Sequence, residues 1–268
     1  MRGTKQSVLA VAGSAAVALM TCFTGSASAG TFDLGVPGGW TCAGNCGTSG
    51  ASGVVTLAPV GGTQYGFVST ASGQSGVGLA IGGVNGSKLQ SHLFTANAGE
   101  ALEFYFNYVT SDGLGYADYA WARLLDGSGS EVARLFTART TQSGDAVPGF
   151  DVPAPIATLT PSPVTIIGGN STWAPLGASS GTCYHGPAAG CGYTGWIKSQ
   201  YTIAAGGSYR LEFGATNWGD SAYDSGLAFD GVTVAGAPIE VIPTVPEPAT
   251  LALLGLALAA AARRRRAQ

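Results

Sequence analysis

The chain has 268 residues, of which 43 are glycine, about twice the usual share, and only 10% are charged. The glycines follow no Gly-X-Y period, which excludes collagen, and 46% hydrophobic residues argue against intrinsic disorder. Residues 30–244 carry six basic and fourteen acidic side chains, and this acidic balance excludes binding to the phosphate backbone of a nucleic acid.

The first 29 residues have the three parts of a secretory signal peptide. Arg2 and Lys5 form a basic region, residues 8–20 form an apolar core, and Ala27-Ser28-Ala29 is a small-x-small cleavage site. The apolar core is too short to remain as a membrane-spanning helix. We therefore predict export across the inner membrane and cleavage by signal peptidase between Ala29 and Gly30.

The middle of the chain consists of short runs of alternating apolar and polar residues, separated by Gly, Ser, Asn and Asp. Such runs predict strands, at residues 54–57, 64–69, 77–81, 89–95, 101–109, 118–125, 131–137, 163–167, 196–203, 208–213 and 226–234. Residues 143–163 contain five prolines and are predicted to form a long loop. Together these features predict one all-β domain at residues 30–240, an antiparallel β-sandwich of jelly-roll type.

Four cysteines, Cys42, Cys46, Cys183 and Cys191, remain after the signal peptide is removed. An even number in an exported chain indicates two disulfides. The short spacings favour the local pairs Cys42–Cys46 and Cys183–Cys191, although a crossed pairing stays open. Zinc binding, with His185 beside the second pair, is the minority alternative in an oxidising compartment.

Aromatic residues suggest a lectin-like module as one alternative function, because an indole face can stack on the apolar face of a sugar. Trp121 belongs to an alternating strand and is expected in the core. Trp40, Trp173 and Trp218 lie in predicted loops and are the candidate glycan-binding residues.

Acidic residues suggest two further sites. Glu103 and Glu212 each occupy a Leu-Glu-Phe triplet in a predicted strand, and neighbouring strands would give them the shared face that a glycoside hydrolase or lyase requires. Asp230 is a candidate ligand for a structural calcium ion, because its strand resembles the last strand of jelly-roll carbohydrate-binding modules. No other cofactor is predicted. Ser179 matches a nucleophile-elbow pattern without the helix that the elbow needs, so it is predicted to be a loop serine.

The C-terminal segment has three parts in a fixed order. A linker at residues 241–244 precedes Pro246-Glu247-Pro248, an apolar segment at residues 249–262 and the arginines 263–266. The apolar segment is short for a bilayer, and the arginines favour the cytoplasmic side. Residues 245–268 therefore resemble a PEP-CTERM sorting signal with a short transmembrane helix. The resemblance implies that an exosortase recognises the motif, removes the tail and releases or re-anchors the protein.

Four stretches of the middle region also resemble an uncharacterised family of exported PEP-CTERM proteins, namely residues 107–113, 118–123, 191–196 and 224–230. That resemblance implies no activity. The two targeting segments around an acidic, Gly-rich, disulfide-bearing domain predict a non-enzymatic protein of the cell surface or extracellular matrix. We expect it to be membrane-anchored only transiently and to associate with exopolysaccharide.

Overall fold

The computed structural model of the chain describes residues 30–239, except 114, 115, 117, 142–144, 148 and 185–189. The predicted signal peptide, the linker, the sorting signal with its helix at 249–262, and His185 lie outside the described residues. Within the described part, no helix has the length and apolar character needed to cross a membrane.

The described residues form sixteen strands and one short 3₁₀ helix at Ala174–Ser179. The strands are β1 (Thr41–Ala43), β2 (Asn45–Ser49), β3 (Tyr65–Ser69), β4 (Gln74–Ser75), β5 (Asn85–Gln90), β6 (Phe94–Ala96), β7 (Ala101–Thr110), β8 (Tyr119–Asp126), β9 (Glu131–Ala138), β10 (Thr158–Thr160), β11 (Ile167–Gly168), β12 (Gly192–Tyr193), β13 (Ile197–Thr202), β14 (Gly207–Thr216), β15 (Ser225–Val234) and β16 (Ala237–Pro238).

The strands are arranged in two antiparallel sheets. The first, here called the β14 sheet, has the order β1-β5-β14-β8-β9, with β4 beside β5 and β6 beside β14. The second, the β7 sheet, has the order β10-β13-β7-β15-β3-β2, with β12, β11 and β16 attached at its margins. The connections between the longer strands are those of two interlocked Greek keys, and the strands concerned are β3, β5, β7, β8, β9, β13, β14 and β15. This topology confirms the predicted antiparallel sandwich of jelly-roll type.

The main core lies between the two sheets and is built from every second residue of each long strand. Phe104 and Phe106 of β7 point inward, as do Leu211 and Phe213 of β14. Phe213 stacks on Phe229 of β15, with ring centroids 4.0 Å apart, and so joins the sheets. Burying one such side chain stabilises the fold by roughly 1.5–3 kcal/mol.

Each sheet also has one smaller apolar cluster that covers part of its outer face. On the β14 sheet, Val77 and Leu79 pack over Tyr119 and Trp121. On the β7 sheet, Trp173 packs with Val55, Tyr65, Val109, Leu176 and Ala228. Each sheet is therefore buried on its inner face and along part of its outer face.

Most of the predicted strands are confirmed. The predictions at 64–69, 101–109, 118–125, 131–137, 196–203, 208–213 and 226–234 correspond to β3, β7, β8, β9, β13, β14 and β15, and 89–95 divides between β5 and β6. The predictions at 54–57 and 77–81 are wrong, because these apolar runs lie over a sheet instead of pairing within it. Only the last residue of 163–167 enters a strand, β11, and the predicted loop contains β10.

Both predicted disulfides, Cys42–Cys46 and Cys183–Cys191, are present, with Cα atoms 6.0 and 5.8 Å apart. Because all four cysteines are bridged locally, the crossed pairing and the zinc alternative are both wrong. Strand β1, which contains Cys42, belongs to the β14 sheet, whereas β2, which contains Cys46, belongs to the β7 sheet. The first bridge therefore links the two sheets at one edge of the sandwich.

Candidate functional site

Three neighbouring strands place a row of polar side chains on the outer face of the β14 sheet. Gln90 of β5, Glu212 of β14 and Arg123 of β8 are directly opposite one another in the strand register. The adjacent residues Leu89 and Phe213 point into the core, so the alternation along each strand sends this row outward. Side chains at opposite positions of antiparallel strands are close enough to interact directly.

Glu212 lies at the centre of this row and is fully buried. Its Oε1 accepts hydrogen bonds from the indole N–H of Trp121 at 2.9 Å and from Nε of Arg123 at 2.6 Å. Its Oε2 accepts a hydrogen bond from the Gln90 amide at 2.7 Å and lies 3.5 Å from Nζ of Lys88. Four donors therefore surround a single carboxylate.

The donors around Glu212 determine its protonation state. Burial acts to raise the pKa of this carboxyl, but the hydrogen bonds from Arg123, Trp121 and Gln90, together with the charge of Arg123, outweigh burial and lower the pKa below its usual value. Glu212 is therefore ionised at neutral pH and carries no proton to donate. Its chemistry is that of an anchor that fixes the surrounding cations in place.

Gly214 makes the contact between Trp121 and Glu212 sterically feasible. The two residues Gly214 and Trp121 are opposite each other in the register of β14 and β8, and a Cβ at Gly214 would overlap the indole ring. The ring therefore lies across the strand at the position of the missing side chain. Trp121 is buried as predicted, but on the outer face of the β14 sheet and not in the main core.

An open cleft of about 350 Å³ lies over this row, beside the turn that connects β8 to β9. Lys88, Arg123 and Arg210 line it together with Gln90, Glu212, Leu125 and residues 127–129. Within the described residues, Arg210 makes no salt bridge. We refer to this feature as the cationic cleft.

Positive charge is concentrated at the cationic cleft although the domain is acidic. Arg134 is opposite Arg123 in the register, so four of the six basic residues of the segment 30–244 lie in or beside the cleft. Glu131 binds Arg134 at 2.6 Å and Arg123 at 3.4 Å, and Glu212 is the second anion here. Asp126, the last residue of β8 before the turn to β9, is a third anion beside the cleft. Four cations against three anions leave this surface with a small positive charge, which favours anionic ligands.

The predicted pairing of Glu103 with Glu212 is wrong. Glu103 belongs to β7, whose neighbours are β12, β13 and β15, whereas Glu212 belongs to β14 in the other sheet. Both residues point away from the core, so they lie on opposite outer faces of the sandwich. Glu103 instead binds Lys198 at 2.8 Å. These two residues therefore do not form the facing carboxylates that glycoside hydrolysis requires.

The three candidate tryptophans do not present free faces for a sugar. Trp173 is fully buried, and its indole N–H donates to the hydroxyl of Tyr65 at 2.8 Å. Trp40 is buried and stacks parallel to Phe213, with ring centroids 6.4 Å apart. Trp218 is half-buried, and the guanidinium of Arg139 lies 4.5 Å from the centroid of its ring. All three indoles serve packing.

Exposed aromatic side chains occur instead at the end of the sandwich opposite the β8–β9 turn. Tyr184 contacts Tyr116 and Tyr223 edge to face, with centroid distances of 5.3 and 5.2 Å. Ser179 lies near this tyrosine cluster, in the 3₁₀ helix, and its hydroxyl donates to Asp224 at 2.8 Å. This contact is consistent with a structural serine, and the tyrosine cluster is an aromatic surface that the tryptophan hypothesis did not anticipate.

Asp230, the candidate calcium ligand, is fully buried in β15 and lies close to Asp33. Burial, with a smaller contribution from the charge of Asp33, raises the pKa of Asp230 to about 6. Three backbone N–H groups, from Gly30, Thr63 and Gln64, donate to Asp33. Among the described residues, no group of three His, Cys, Asp or Glu side chains is placed to hold a metal ion. Calcium binding at Asp230 stays a prediction.

Sequence reasoning did not identify Lys88, Arg123 and Arg210 as members of one site. They belong to strands β5, β8 and β14, which become neighbours only through the topology of the sheet. The one signal in the sequence was the scarcity of basic residues, combined with outward positions on alternating strands.

Comparison with solved structures finds similar β-rich domains at low sequence identity. The K1 cleaved adhesin domain of Lys-gingipain from Porphyromonas gingivalis W83 is 11% identical to this chain, with a TM-score of 0.36; the match covers 75% of this chain and 94% of that domain. The K3 cleaved adhesin domain of the same protein is 12% identical, with a TM-score of 0.38; the match covers 76% of this chain and 95% of that domain. The enzymatically active domain of tailspike protein 4 of bacteriophage CBA120 is 10% identical, covers 74% of this chain and 19% of its own, and has a TM-score of 0.33. Similarity at this level carries no functional information.

Comparison by sequence identifies the C-terminal segment. No curated protein matches the chain. The family model of the PEP-CTERM protein-sorting motif matches residues 244–266, which include Pro246-Glu247-Pro248, the apolar segment and the arginines. The chain therefore carries a PEP-CTERM sorting motif, which implies export, processing by an exosortase and sorting to the cell surface or the extracellular space.

Proposed function

We propose that the protein is a non-enzymatic component of the cell surface or extracellular matrix that binds an acidic exopolysaccharide in the cationic cleft. Signal peptidase releases the exported chain from its leader, and exosortase removes the C-terminal tail after transient anchoring in the inner membrane. The observation that carries the binding proposal is the clustering of Lys88, Arg123, Arg134 and Arg210 on an otherwise acidic domain.

The chemistry of the cleft suits a polymer with carboxylate or sulfate groups. Guanidinium groups bind such anions through paired hydrogen bonds, and Arg210 makes no competing salt bridge within the described residues. The adjoining turn, Gly127-Ser128-Gly129, has no large side chain to block an extended chain.

The arrangement supports binding more than catalysis. Glu212 is held ionised by its donors, and Glu131, the other carboxylate at this face, is itself bound to Arg134 and Arg123. Glu212 is therefore not available as the acid of an acid–base pair, and both oxygens of Glu131 are engaged by arginines.

Binding of polysaccharides to cleft variants tests the proposal. We expect the mature protein to bind a uronic-acid polysaccharide and a sulfated polysaccharide, to bind a neutral glucan weakly, and to lose affinity as salt is added. The double variant Lys88→Gln/Arg210→Gln should bind the acidic polymers about tenfold more weakly, since each lost charge contact contributes roughly 0.2–1 kcal/mol. Lys198→Gln removes a positive charge from the other sheet and should leave binding unchanged. Equal binding of the acidic polymers by Lys88→Gln/Arg210→Gln and by Lys198→Gln would contradict the proposal.

The tyrosine cluster supports a second candidate function, a lectin-like module for neutral sugars. Tyr116 and Tyr184 are 49% and 41% exposed, which leaves ring surface for stacking on a sugar. Binding of a neutral glycan that is lost in Tyr184→Ala and retained in the cleft double variant would favour this candidate over the cationic cleft.

The sorting step is tested separately. Deletion of Pro246–Pro248 should prevent removal of the C-terminal tail and leave the protein in the membrane fraction. Mass spectrometry of the C-terminal peptide and cell fractionation measure both effects. Unchanged processing and localisation would show that the motif does not direct sorting in this protein.

A further inference from the structure

We infer that cleavage of the signal peptide completes the fold, because the new α-ammonium group of Gly30 binds the carboxylates of Asp33 and Asp230. The inference depends on the predicted cleavage after Ala29 and is independent of the cationic cleft. It assigns a structural role to the amino terminus that cleavage creates, and it couples maturation of the exported chain to its stability.

Gly30 lies between two carboxylates. Its backbone N–H donates to Oδ2 of Asp33 at 2.8 Å. A Cβ added to Gly30 would lie 2.8 Å from Oδ2 of Asp230 and 3.3 Å from Oδ1 of Asp33, so the main chain of Gly30 contacts both acids at close range. Any larger residue at position 30 would displace Asp230. The absence of a side chain at Gly30 therefore lets the two carboxylates lie close to the main chain.

Asp230 has one oxygen without a partner. Its Oδ1 accepts a hydrogen bond from the N–H of Thr31 at 2.9 Å, whereas its buried Oδ2 makes no hydrogen bond of good geometry among the described residues. The backbone N–H groups of Gly231 and Phe32 also lie near this carboxylate and act to lower its pKa. Leaving a buried carboxylate oxygen unpaired destabilises the fold. Both oxygens of Asp33, in contrast, accept backbone N–H groups. A positive donor beside Gly30 would pair this oxygen of Asp230.

Cleavage supplies that donor. Hydrolysis adds one water molecule across the Ala29–Gly30 peptide bond, leaves a carboxylate on Ala29 of the leader and frees the amine of Gly30. With an ordinary pKa of about 8, that amine takes up a proton near neutral pH. The single N–H of the precursor, already used by Asp33, becomes a cationic group with three N–H donors. One can remain on Asp33 while another pairs with Asp230.

The residues that follow hold Gly30 in this position. Phe32 is fully buried and packs edge to face against Phe229, with ring centroids 5.4 Å apart. The hydroxyl of Thr31 accepts a hydrogen bond from the N–H of Val232 at 3.0 Å. Because these contacts already fix the segment, little conformational entropy remains to be lost when the ammonium pairs with Asp230.

The consequence is that the precursor is less stable than the mature chain. A chain that still carries its leader lacks the cation, and Oδ2 of Asp230 then has no cationic partner among residues 30–239, as far as the structure describes them. The last stabilising contact then forms only after the leader has been removed, which is outside the inner membrane. This order suits a protein that must cross the membrane before it folds.

Two chains that differ by one residue test the inference. One begins at Gly30 and the other retains Ala29, and both continue to Gln268 in mild detergent. Both carry an α-ammonium group, but only the first has it beside Asp230. We expect the unfolding equilibrium constant of the chain with Ala29 to be about tenfold larger, the effect of one hydrogen bond to a charged group. In Asp230→Asn the two chains should unfold alike.

Further measurements separate the inference from calcium binding at the same acids. Each chain is unfolded with calcium and with a chelator. The inference would be overturned if calcium stabilised the Gly30 and Ala29 chains equally and this stabilisation were lost in Asp230→Asn. The cation that pairs with Asp230 would then be calcium and not the ammonium group. Mass spectrometry of the exported protein should show Gly30 as the first residue, and a different first residue would also overturn it. If Asp230→Asn does not fold, selective acetylation of the Gly30 amine should destabilise the natural chain to the same extent as retained Ala29, and no effect would contradict the inference.

Discussion

Substitution of Glu212 by glutamine should have opposite effects on stability and on ligand binding. Glu212→Gln keeps the shape of the side chain but removes its charge. The glutamine oxygen can still accept hydrogen bonds from Trp121 and Arg123 at the Oε1 position. The new amide, at the Oε2 position, faces two other donors, Gln90 and Lys88. We therefore expect a less stable domain with a more positive cleft.

The size of the stability loss follows from these contacts. Hydrogen bonds to charged groups contribute about 1.5–3 kcal/mol, which is the expected loss at Gln90. The side chain of Lys88 is 36% exposed and retains its hydration, so its ion pair adds less than about 1 kcal/mol. Together these terms give a loss of about 2–4 kcal/mol. For a domain of this size the loss lowers Tm by roughly 5–15 °C.

Urea and thermal denaturation measure the loss, with Glu103→Gln as the matched control. Glu103 and Lys198 form a partly exposed ion pair on the other sheet, so removing this pair by Glu103→Gln should lower the free energy of unfolding by less than about 1 kcal/mol. Folded Glu212→Gln should bind acidic polysaccharide about 2- to 10-fold more tightly at low salt, because one negative charge is gone. Equal destabilisation by the two variants would refute the anchoring role of Glu212, and weaker binding would refute the cationic role of the cleft.

Three other predictions concern stability. Burial raises the pKa of Asp112 to about 7, so this carboxyl ionises less readily in the folded protein than in the unfolded chain. The free energy of unfolding should therefore fall as the pH rises from about 4 to about 7. Asp112→Asn should make Tm depend less steeply on pH over this range. Gly214→Ala should destabilise the domain by about 1–3 kcal/mol through overlap with Trp121. Gly127→Ala should have little effect in the same denaturation assay, because the new Cβ would lie 3.8 Å from its nearest neighbour, an ordinary contact distance. Reduction of Cys183–Cys191 should cost roughly 2–3 kcal/mol in the chain-entropy model, and an unchanged urea midpoint after reduction would contradict it.

The fold was predictable where each step depended on local patterns. Alternation of apolar and polar residues predicted the strands β7, β14 and β15, and the short sequence separations within each cysteine pair favoured the two local bridges. The errors at 54–57 and 77–81 have one cause. An apolar run shows that its residues are buried, but it does not distinguish a strand within a sheet from a loop that covers the outer face of one. Strands β1 and β2 were missed for the converse reason, since their sequences are polar and carry no apolar alternation.

The candidate site was not predictable because it is assembled from distant parts of the chain. Alternation correctly turned Glu212 outward, but only the sheet topology places it between Gln90 and Arg123, 122 and 89 residues away in sequence. The same topology puts Glu103 on the other sheet, which no local pattern could show.

Asp230 shows how far local chemistry can lead in such a case. The sequence suggested calcium at Asp230 because its strand resembles the last strand of jelly-roll carbohydrate-binding modules, and a buried carboxylate does require a cation or several donors. The structure supplies the neighbour that sequence reasoning could not, a contact 199 residues away at Thr31, with Gly30 next to it. Since Gly30 is also the predicted product of signal-peptide cleavage, the cation that Asp230 requires can come from the chain itself. The resemblance directed attention to Asp230, whereas the source of its positive charge depends on which end of the chain the last long strand meets.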